Sequence, residues 1–454
     1  MKMPNVSDKS VYVETYGCQM NISDGELMEG ILADQGYEVS SSADEADVII
    51  VNTCAIREHA EERVLGRIGQ LYALKKDRPE VILGVTGCMA QRLGELILER
   101  APYVDLVMGP DGYRSLPEQL ERIWRGSKTV PSRSPKRRGP QLAVLNLNKD
   151  ENYEGLAQRR TSAVSAWVPI QRGCDHRCTF CIVPYVRGPE KNRKFSEVLN
   201  EVEEIAKSGR TEVTLLGQTV NSYESEGVPF HELLKSVARV SGIRRVRFTS
   251  PHPNDVTQEL LEVMAQEPSV CEQLHLPVQS GNDKVLRRML RRYSVKTFLD
   301  KVRLARELIP DLSLSTDIIV AFPGETESQF EDTLNLLREV RFDDAYTYKY
   351  SLRDGTPATR LPKSDFLSEG EAQMRLARLI EVHRDIQNEV NKAEVGRIEE
   401  VLVEKEGRRK GQVLGRTRRN KVVAFKTSSE QIGTYQQVQL TDTTGATFLG
   451  ELLN

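Results

Sequence analysis

Val48-Ile49-Ile50-Val51-Asn52-Thr53-Cys54 is a short apolar run that closes on two polar residues and a cysteine. A β-branched run with no polar alternation reads as a strand buried on both faces. Outward from it, Val11-Tyr12-Val13-Glu14-Thr15-Tyr16 leads into Gly17-Cys18, and Val81-Ile82-Leu83-Gly84-Val85 leads into Thr86-Gly87-Cys88. Helical patterns over 24–35, 57–76 and 91–100 separate and follow these runs. Strand and helix in alternation predict a doubly wound parallel sheet for residues 8–125. Ligands of such sheets bind beyond the carboxyl ends of the strands. All three cysteines fall there, so Cys18, Cys54 and Cys88 become neighbours along one sheet edge. They could hold an iron–sulfur cluster with one iron left open, or each could pack as a small residue in a tight strand–helix turn.

A second trio is local. Gly173-Cys174-Asp175-His176-Arg177-Cys178-Thr179-Phe180-Cys181 spaces its cysteines C-x3-C-x2-C. Thiolates this close cannot all pair as disulfides, but they can converge on a soft metal centre. Zinc would need a fourth nearby ligand, usually from a second C-x2-C pair, and the sequence has no such pair. His176 is a conceivable fourth ligand but is crowded by its neighbours. Three thiolates on a four-iron cluster leave one iron free to bind substrate. The alternative is three reduced, packed cysteines.

With 454 residues the chain expects more than one domain, and its net charge of −3 says nothing of partners until divided by region. Seven cysteines, spaced as ligands rather than as a disulfide framework, point to a reducing, cytoplasmic compartment. The polar start, residues 1–10, has no apolar core of a signal peptide, and no apolar run is long enough to span a membrane.

Residues 126–159 read as a connector. The stretch 126–140 is rich in Ser, Pro, Lys and Arg, including Lys136-Arg137-Arg138, and 146–155 is polar and acidic. Residues 160–393 return to alternation, with strands expected over 164–171, 212–216, 245–250, 273–278, 314–320 and 345–350. At their carboxyl ends stand Gly217, Gln218, Ser250 and Gln279, while Asp317 lies on the fifth strand. Arg287, Arg288, Arg291 and Arg292 are expected to form a dense basic helix after the fourth strand, either solvated or facing phosphates. Cys271 has no partner spacing and is expected to be packed. Residues 394–454 carry five short strand patterns and suit a small C-terminal β-barrel. A basic tract runs through it: Arg408, Arg409, Lys410, Arg416, Arg418, Arg419, Lys421 and Lys426. Such a tract is an electrostatic footprint for nucleic acid, or else a charged hairpin on a soluble domain.

The C-x3-C-x2-C loop, with an aromatic before its last cysteine, resembles the radical S-adenosylmethionine (SAM) enzymes. That resemblance implies a partial (β/α)6 barrel for 160–393, a [4Fe-4S] cluster on Cys174, Cys178 and Cys181, and SAM on its open iron. SAM is then cleaved to a 5′-deoxyadenosyl radical. Gly217-Gln218 stands where many of these enzymes carry a Gly-Glu pair that meets the SAM amine. By the strand-end rule Ser250 and Gln279 would also face the cofactor, and Asp317 could meet cofactor or substrate; each could instead be a plain turn or core residue. Gly17-Cys18-Gln19-Met20-Asn21, Asn52-Thr53-Cys54-Ala55-Ile56-Arg57-Glu58 and Gly87-Cys88-Met89-Ala90-Gln91 are similar to the N-terminal domain of the methylthiotransferases. The Asn52–Glu58 string is close to the branch that acts on isopentenylated adenosine in tRNA. Residues 394–454 resemble the TRAM domain of RNA-modifying enzymes.

The family implies a second [4Fe-4S] cluster on Cys18, Cys54 and Cys88, and methylthiolation of C2 of N6-isopentenyladenosine at tRNA position 37, with two SAM per product. Catalytic groups beyond the clusters are not implied. Partners would be the tRNA, an electron donor such as flavodoxin or ferredoxin, and a sulfur source. An aromatic C–H is too strong for side-chain acid–base chemistry, so the cofactors carry the hard step, and the base would be turned out of its loop. The rival readings are a methylthiotransferase acting on threonylcarbamoyladenosine or a ribosomal protein, and a non-catalytic RNA-binding iron–sulfur sensor.

Overall fold

The computed structural model describes residues 9–55, 58–126 and 141–453, with backbone only for 58–61. Most of the polar start, Ile56 and Arg57, and the Lys136-Arg137-Arg138 run lie outside the described residues. The chain divides into two compact units. One comprises Met1–Thr161, Gln171–His176 and Ile182–Arg193, and the other Ser162–Ile170, Arg177–Cys181 and Lys194–Asn454. Cys174 therefore belongs to the first unit, and Cys178 and Cys181 to the second.

The first unit is built on a parallel sheet of β1 (Ser10–Thr15), β2 (Glu38–Val39), β3 (Val48–Thr53), β4 (Ile82–Gly87), β5 (Leu106–Met108) and β6 (Leu142–Val144), in the order β2-β1-β3-β4-β5-β6. Alternate residues of one strand feed opposite faces. Val48 and Ile50 pack with Leu27, Ile31, Leu116 and Leu120, from α1 (Gln19–Asp34) and α3 (Leu116–Trp124). Ile49 and Val51 pack with Val64, Ile68 and Leu71 of α2 (Glu58–Asp77) on the other face. This two-sided burial explains the unbroken apolar run of β3 and makes the sheet doubly wound, as expected. The strand order reverses between β1 and β3, which is the switch point where such folds place ligands.

Two expectations change. The first cysteine-linked helix, α1, begins at Gln19, directly after Cys18 rather than at residue 24. Part of the 126–159 connector is also structured. Leu142–Val144 pairs with β5, and Arg114 holds Glu151 at 2.9 Å, so this stretch closes the edge of the sheet. Its polar composition concealed a strand of only three residues.

The second unit contains six βα strands: β7 (Ser165–Pro169), β8 (Glu212–Leu216), β9 (Arg245–Phe248), β10 (Gln273–His275), β11 (Ser313–Val320) and β12 (Asp344–Lys349). β7, β8 and β9 pair in parallel, as do β10, β11 and β12, and a parallel bridge from Val246 to Val270 joins the two halves. Among the described residues nothing pairs β12 with β7, so the barrel is open. Residues 398–452 form a closed five-stranded barrel around Val401, Val403, Val423, Phe425 and Phe448. The helix Glu369–Ala393, begun by a Ser368/Glu371 capping box, leads into it. No described helix is long and apolar enough to cross a membrane.

Candidate metal centres and cofactor pocket

Register brings the first trio together. Thr15 lies opposite Asn52, and Thr53 opposite Gly87, so the residues that follow these strands share one edge. Cys18 caps α1, Cys54 follows β3 by one residue, and Cys88 is the first residue of its helix. Gly87 has φ +93°, and a Cβ there would lie 2.3 Å from the Thr53 carbonyl oxygen, so only glycine lets the Cys88 loop approach the Cys54 loop. Two asparagines bind the edge. Asn52 Nδ2 donates to the Asn21 carbonyl at 2.7 Å, and Asn21 Nδ2 to the Thr53 carbonyl at 3.1 Å. Thr53 Oγ1 donates to the Thr86 carbonyl at 2.6 Å.

The thiols interact. A hydrogen bond with Cys54, opposed by burial and aided by Arg187 and the Met20 and Asn21 N–H groups, lowers the Cys18 thiol to about 6. Burial pushes Cys88 up, against the pull of Arg187. Arg187 is 3% exposed and donates from Nε to Cys88 Sγ at 3.1 Å. Its Nη2 donates to Asp24 at 2.7 Å, and Arg172 donates to the other oxygen of Asp24 at 2.9 Å. Three thiols outside any disulfide, beside buried cationic donors, are a set made for an anionic, thiolate-held metal centre, so the residues fit an iron–sulfur cluster. Asp24, Arg172 and Arg187 escaped sequence reading, because nothing local marks a charged residue as buried.

In the eight-residue loop, Gly173 has φ +75°, and a Cβ there would meet the Pro189 carbonyl at 1.9 Å. Cys174 is buried in the first unit. In the second unit Cys178 accepts from Arg291 Nη1 at 3.3 Å, while Arg291 Nη2 holds the Pro277 carbonyl at 2.9 Å. The sequence places Arg291 on a basic helix with a solvated or phosphate-facing side, and the structure does not. The helix Asp283–Arg288 ends before it, Leu290 turns the chain at φ +56°, and Arg291 is buried. Arg288 is taken by Asp365.

The sequence-named cofactor residues lie at the carboxyl ends of the barrel strands, except Asp317 within β11. Gln218 Oε1 and Gln279 Oε1 are buried acceptors without a hydrogen-bond partner among the described residues. Ser250 and Gln279 hold φ of +58° and +69°. Gln279 is pinned by its N–H to the Asp317 carbonyl at 2.8 Å and by its carbonyl to the Ile319 N–H at 2.9 Å. Asp317 faces His275 Nε2 at 3.5 Å, and His275 Nδ1 meets Ser315 Oγ at 3.0 Å. Two buried, unfilled amide oxygens at the mouth of a barrel fit a ligand that brings an ammonium or hydroxyl donor, as SAM does. Gly217 directly follows β8 and precedes Gln218. Cys271 is 2% exposed and packed.

The basic tract divides. Arg418 is bidentate to Glu272 and donates to the Val270 carbonyl at 2.7 Å. Arg419 is buried against Glu394 at 2.8 Å and Glu399 at 2.7 Å, and Lys421 is buried between Asp343 at 2.7 Å and Asn391 at 2.9 Å. Arg416 pairs with Glu404 at 3.1 Å. From the other side, Arg245 reaches the Arg416 carbonyl at 2.7 Å, and Arg247 the Arg418 carbonyl at 2.8 Å. Residues 416–421 therefore dock the small barrel onto the first residues of the large barrel's strands, and their cations are already neutralised. Arg418 and Lys421 are corrected from RNA contacts to docking residues, and Arg416 and Arg419 to partners of carboxylates on the small barrel and on the helix end that leads into it. Arg408, Arg409, Lys410 and Lys426 remain exposed.

Comparison with known proteins agrees with this architecture. Residues 10–109 match the model of Uncharacterized protein family UPF0004, 168–337 the Radical SAM superfamily, and 392–453 the TRAM domain. The tRNA-2-methylthio-N(6)-dimethylallyladenosine synthase of Chloroherpeton thalassium is 42% identical over 98% of this chain and 96% of its own. That of Carboxydothermus hydrogenoformans is 42% identical over 96% and 98%. Among solved structures, the radical SAM methyltransferase TsrM of Kitasatospora setae superposes with a TM-score of 0.57 at 15% identity, over 77% of each chain, a likeness of fold alone. With both cysteine trios, the open barrel and the small C-terminal barrel in one order along the whole length, the chain belongs to the tRNA-2-methylthio-N(6)-dimethylallyladenosine synthase family of radical SAM proteins.

Proposed function

We propose that this protein methylthiolates C2 of N6-isopentenyladenosine at position 37 of tRNA, next to the anticodon, using two SAM per product. The observation that carries the reading is the pair of cysteine trios in a chain 42% identical to such synthases over nearly its full length. Cys174, Cys178 and Cys181 would hold one [4Fe-4S] cluster and Cys18, Cys54 and Cys88 the other. When bound, these groups supply the low-potential electron for SAM cleavage and an iron that can carry sulfur.

The chain's own residues do the rest. Arg291 fixes Cys178 in place by its hydrogen bond. Gln218 and Gln279 would offer acceptors to the SAM ammonium, with Ser250 at a neighbouring strand end and Asp317 within β11. Gln218→Leu should weaken SAM binding about tenfold or more, since a hydrogen bond to a charged group contributes roughly 1.5–3 kcal/mol. Equilibrium binding to the anaerobically reconstituted protein reads this, and unchanged affinity would remove Gln218 from the pocket.

Arg408, Arg409 and Lys410, on the exposed turn before Gln412, would meet tRNA phosphates. Replacing all three with Ala should weaken tRNA binding and flatten its salt dependence by roughly 2–3 in slope, if each contact releases about one counterion. A constant slope would clear this turn of the role. The protein would work in the cytoplasm, served by a reduced flavodoxin or ferredoxin and by a separate sulfur source.

The decisive test incubates reconstituted protein with SAM, reductant and tRNA bearing N6-isopentenyladenosine, then analyses the nucleosides by mass. The methylthio derivative is expected, with 5′-deoxyadenosine beside it, and Cys178→Ala should abolish both. A mark appearing only on threonylcarbamoyladenosine, or on a ribosomal protein, would transfer the assignment to another branch. No 5′-deoxyadenosine at all would mean a sensor.

A further inference from the structure

Arg187 is tied to the first trio by more than packing. It ends the short helix Val183–Arg187, six residues past Cys181 in sequence, and its guanidinium is buried. Nε donates to Cys88 Sγ at 3.1 Å and Nη2 to Asp24 at 2.7 Å, whereas Nη1 is buried with no partner among the described residues. Asp24 is itself 2% exposed and also serves Arg172, whose side chain lies over the Tyr153 ring at 4.0 Å. Two buried guanidiniums thus share one buried carboxylate, and positive charge is left over beside the thiols. Burying a cation without its counter-charge is strongly unfavourable. An anionic group seated at the trio offsets that cost, and offsets it further when it gains an electron.

We propose that Arg187 is a positioning residue that raises the reduction potential of the iron–sulfur centre held by Cys18, Cys54 and Cys88. It acts through its N–H···S bond to Cys88 and through its share of the uncompensated charge. Hydrogen bonds to ligand sulfur and net charge are among the levers that set such potentials, and this site uses both. The donor is directed at one thiolate of the three. Cys18 is served instead by backbone N–H groups at the start of α1 and by Cys54. The inference rests on the reading that this trio holds a cluster.

The test uses the full-length chain with Cys174, Cys178 and Cys181 replaced by Ala, reconstituted anaerobically so that only this centre remains. Iron content is measured first, and the midpoint is then found by mediator titration with dithionite, read by electron paramagnetic resonance. If this parent protein binds no iron, the reading of the trio has failed, which is separate from the claim about Arg187. Given a loaded parent, Arg187→Gln should lower the midpoint. The reduced-to-oxidised ratio at the parent's midpoint would fall about tenfold, equivalent to about 59 mV for one electron. Asp24→Asn, which removes the shared carboxylate and keeps both cations, should move the midpoint the opposite way. A loaded Arg187→Gln protein with the parent's midpoint overturns the proposal. Should that variant fail to load iron, an unmoved midpoint in Asp24→Asn overturns it. Failure of both to load would mean that Arg187 and Asp24 only build the site.

Discussion

Cys54→Ala is expected to stop methylthiolation while SAM cleavage continues. Cys54 is 6% exposed, stands between Cys18 and Cys88 along the sheet edge, and shares a hydrogen bond with Cys18. Two thiolates do not hold a four-iron cluster stably, so iron should fall from about eight to about four per chain. The C-x3-C-x2-C loop and the strand-end residues of the large barrel are untouched by the change, and 5′-deoxyadenosine should still form when SAM and reductant are supplied. The methylthio nucleoside should fall to background. Alanine fits the space of a cysteine, and its neighbour Ala55 is fully buried, so the fold should survive and the thermal transition should stay near that of the parent. Measuring iron, 5′-deoxyadenosine and modified nucleoside on one preparation separates the effects. Full product formation from this variant would show that the first trio is dispensable.

The outcome is tied to what the chain discloses before folding. Cys18, Cys54 and Cys88 were legible because a βα repeat fixes where strand ends fall, and parallel register does the rest. β8, Glu212–Leu216, was legible to the residue because an apolar strand stops at Gly217. Gln218 and Gln279 followed from the rule that barrel chemistry sits at carboxyl ends. The buried charges did not follow from any rule. Arg187 meets Asp24 across 163 residues and Arg172 meets it across 148, and a lone arginine in a sequence looks the same whether it faces water or a thiolate. The basic tract misled for a related reason. Its acidic partners Glu272, Asp343 and Glu394 come from other elements, so counting charges within residues 408–426 found cations alone. Strands as short as β2 and β6 leave too little pattern to read.

That regrouping of the basic tract predicts a second large effect, on stability rather than on RNA. Arg419→Ala should destabilise the second unit by about 3–5 kcal/mol, the usual penalty for breaking a buried pair by removing one partner. Among the described residues, Glu394 would be left buried with only Lys421 nearby, at 4.0 Å, and Glu399 would keep only the looser contact with Arg397 at 3.5 Å. The corresponding fall in Tm is roughly 5–10 °C for a unit of this size. Arg408→Ala, on the exposed turn, should change stability by less than about 0.5 kcal/mol. Binding separates the two in the opposite sense: at a temperature where both are folded, the salt slope for tRNA should be unaltered in Arg419→Ala and shallower in Arg408→Ala. Replacing Arg419 and Glu394 together by apolar residues of similar volume should recover part of the lost stability, because the desolvation cost of both charges disappears with them. If Arg419→Ala instead left Tm unchanged and flattened the salt slope, the 416–421 hairpin would face the RNA, and the docking role drawn from Arg245, Arg247 and Glu272 would be wrong.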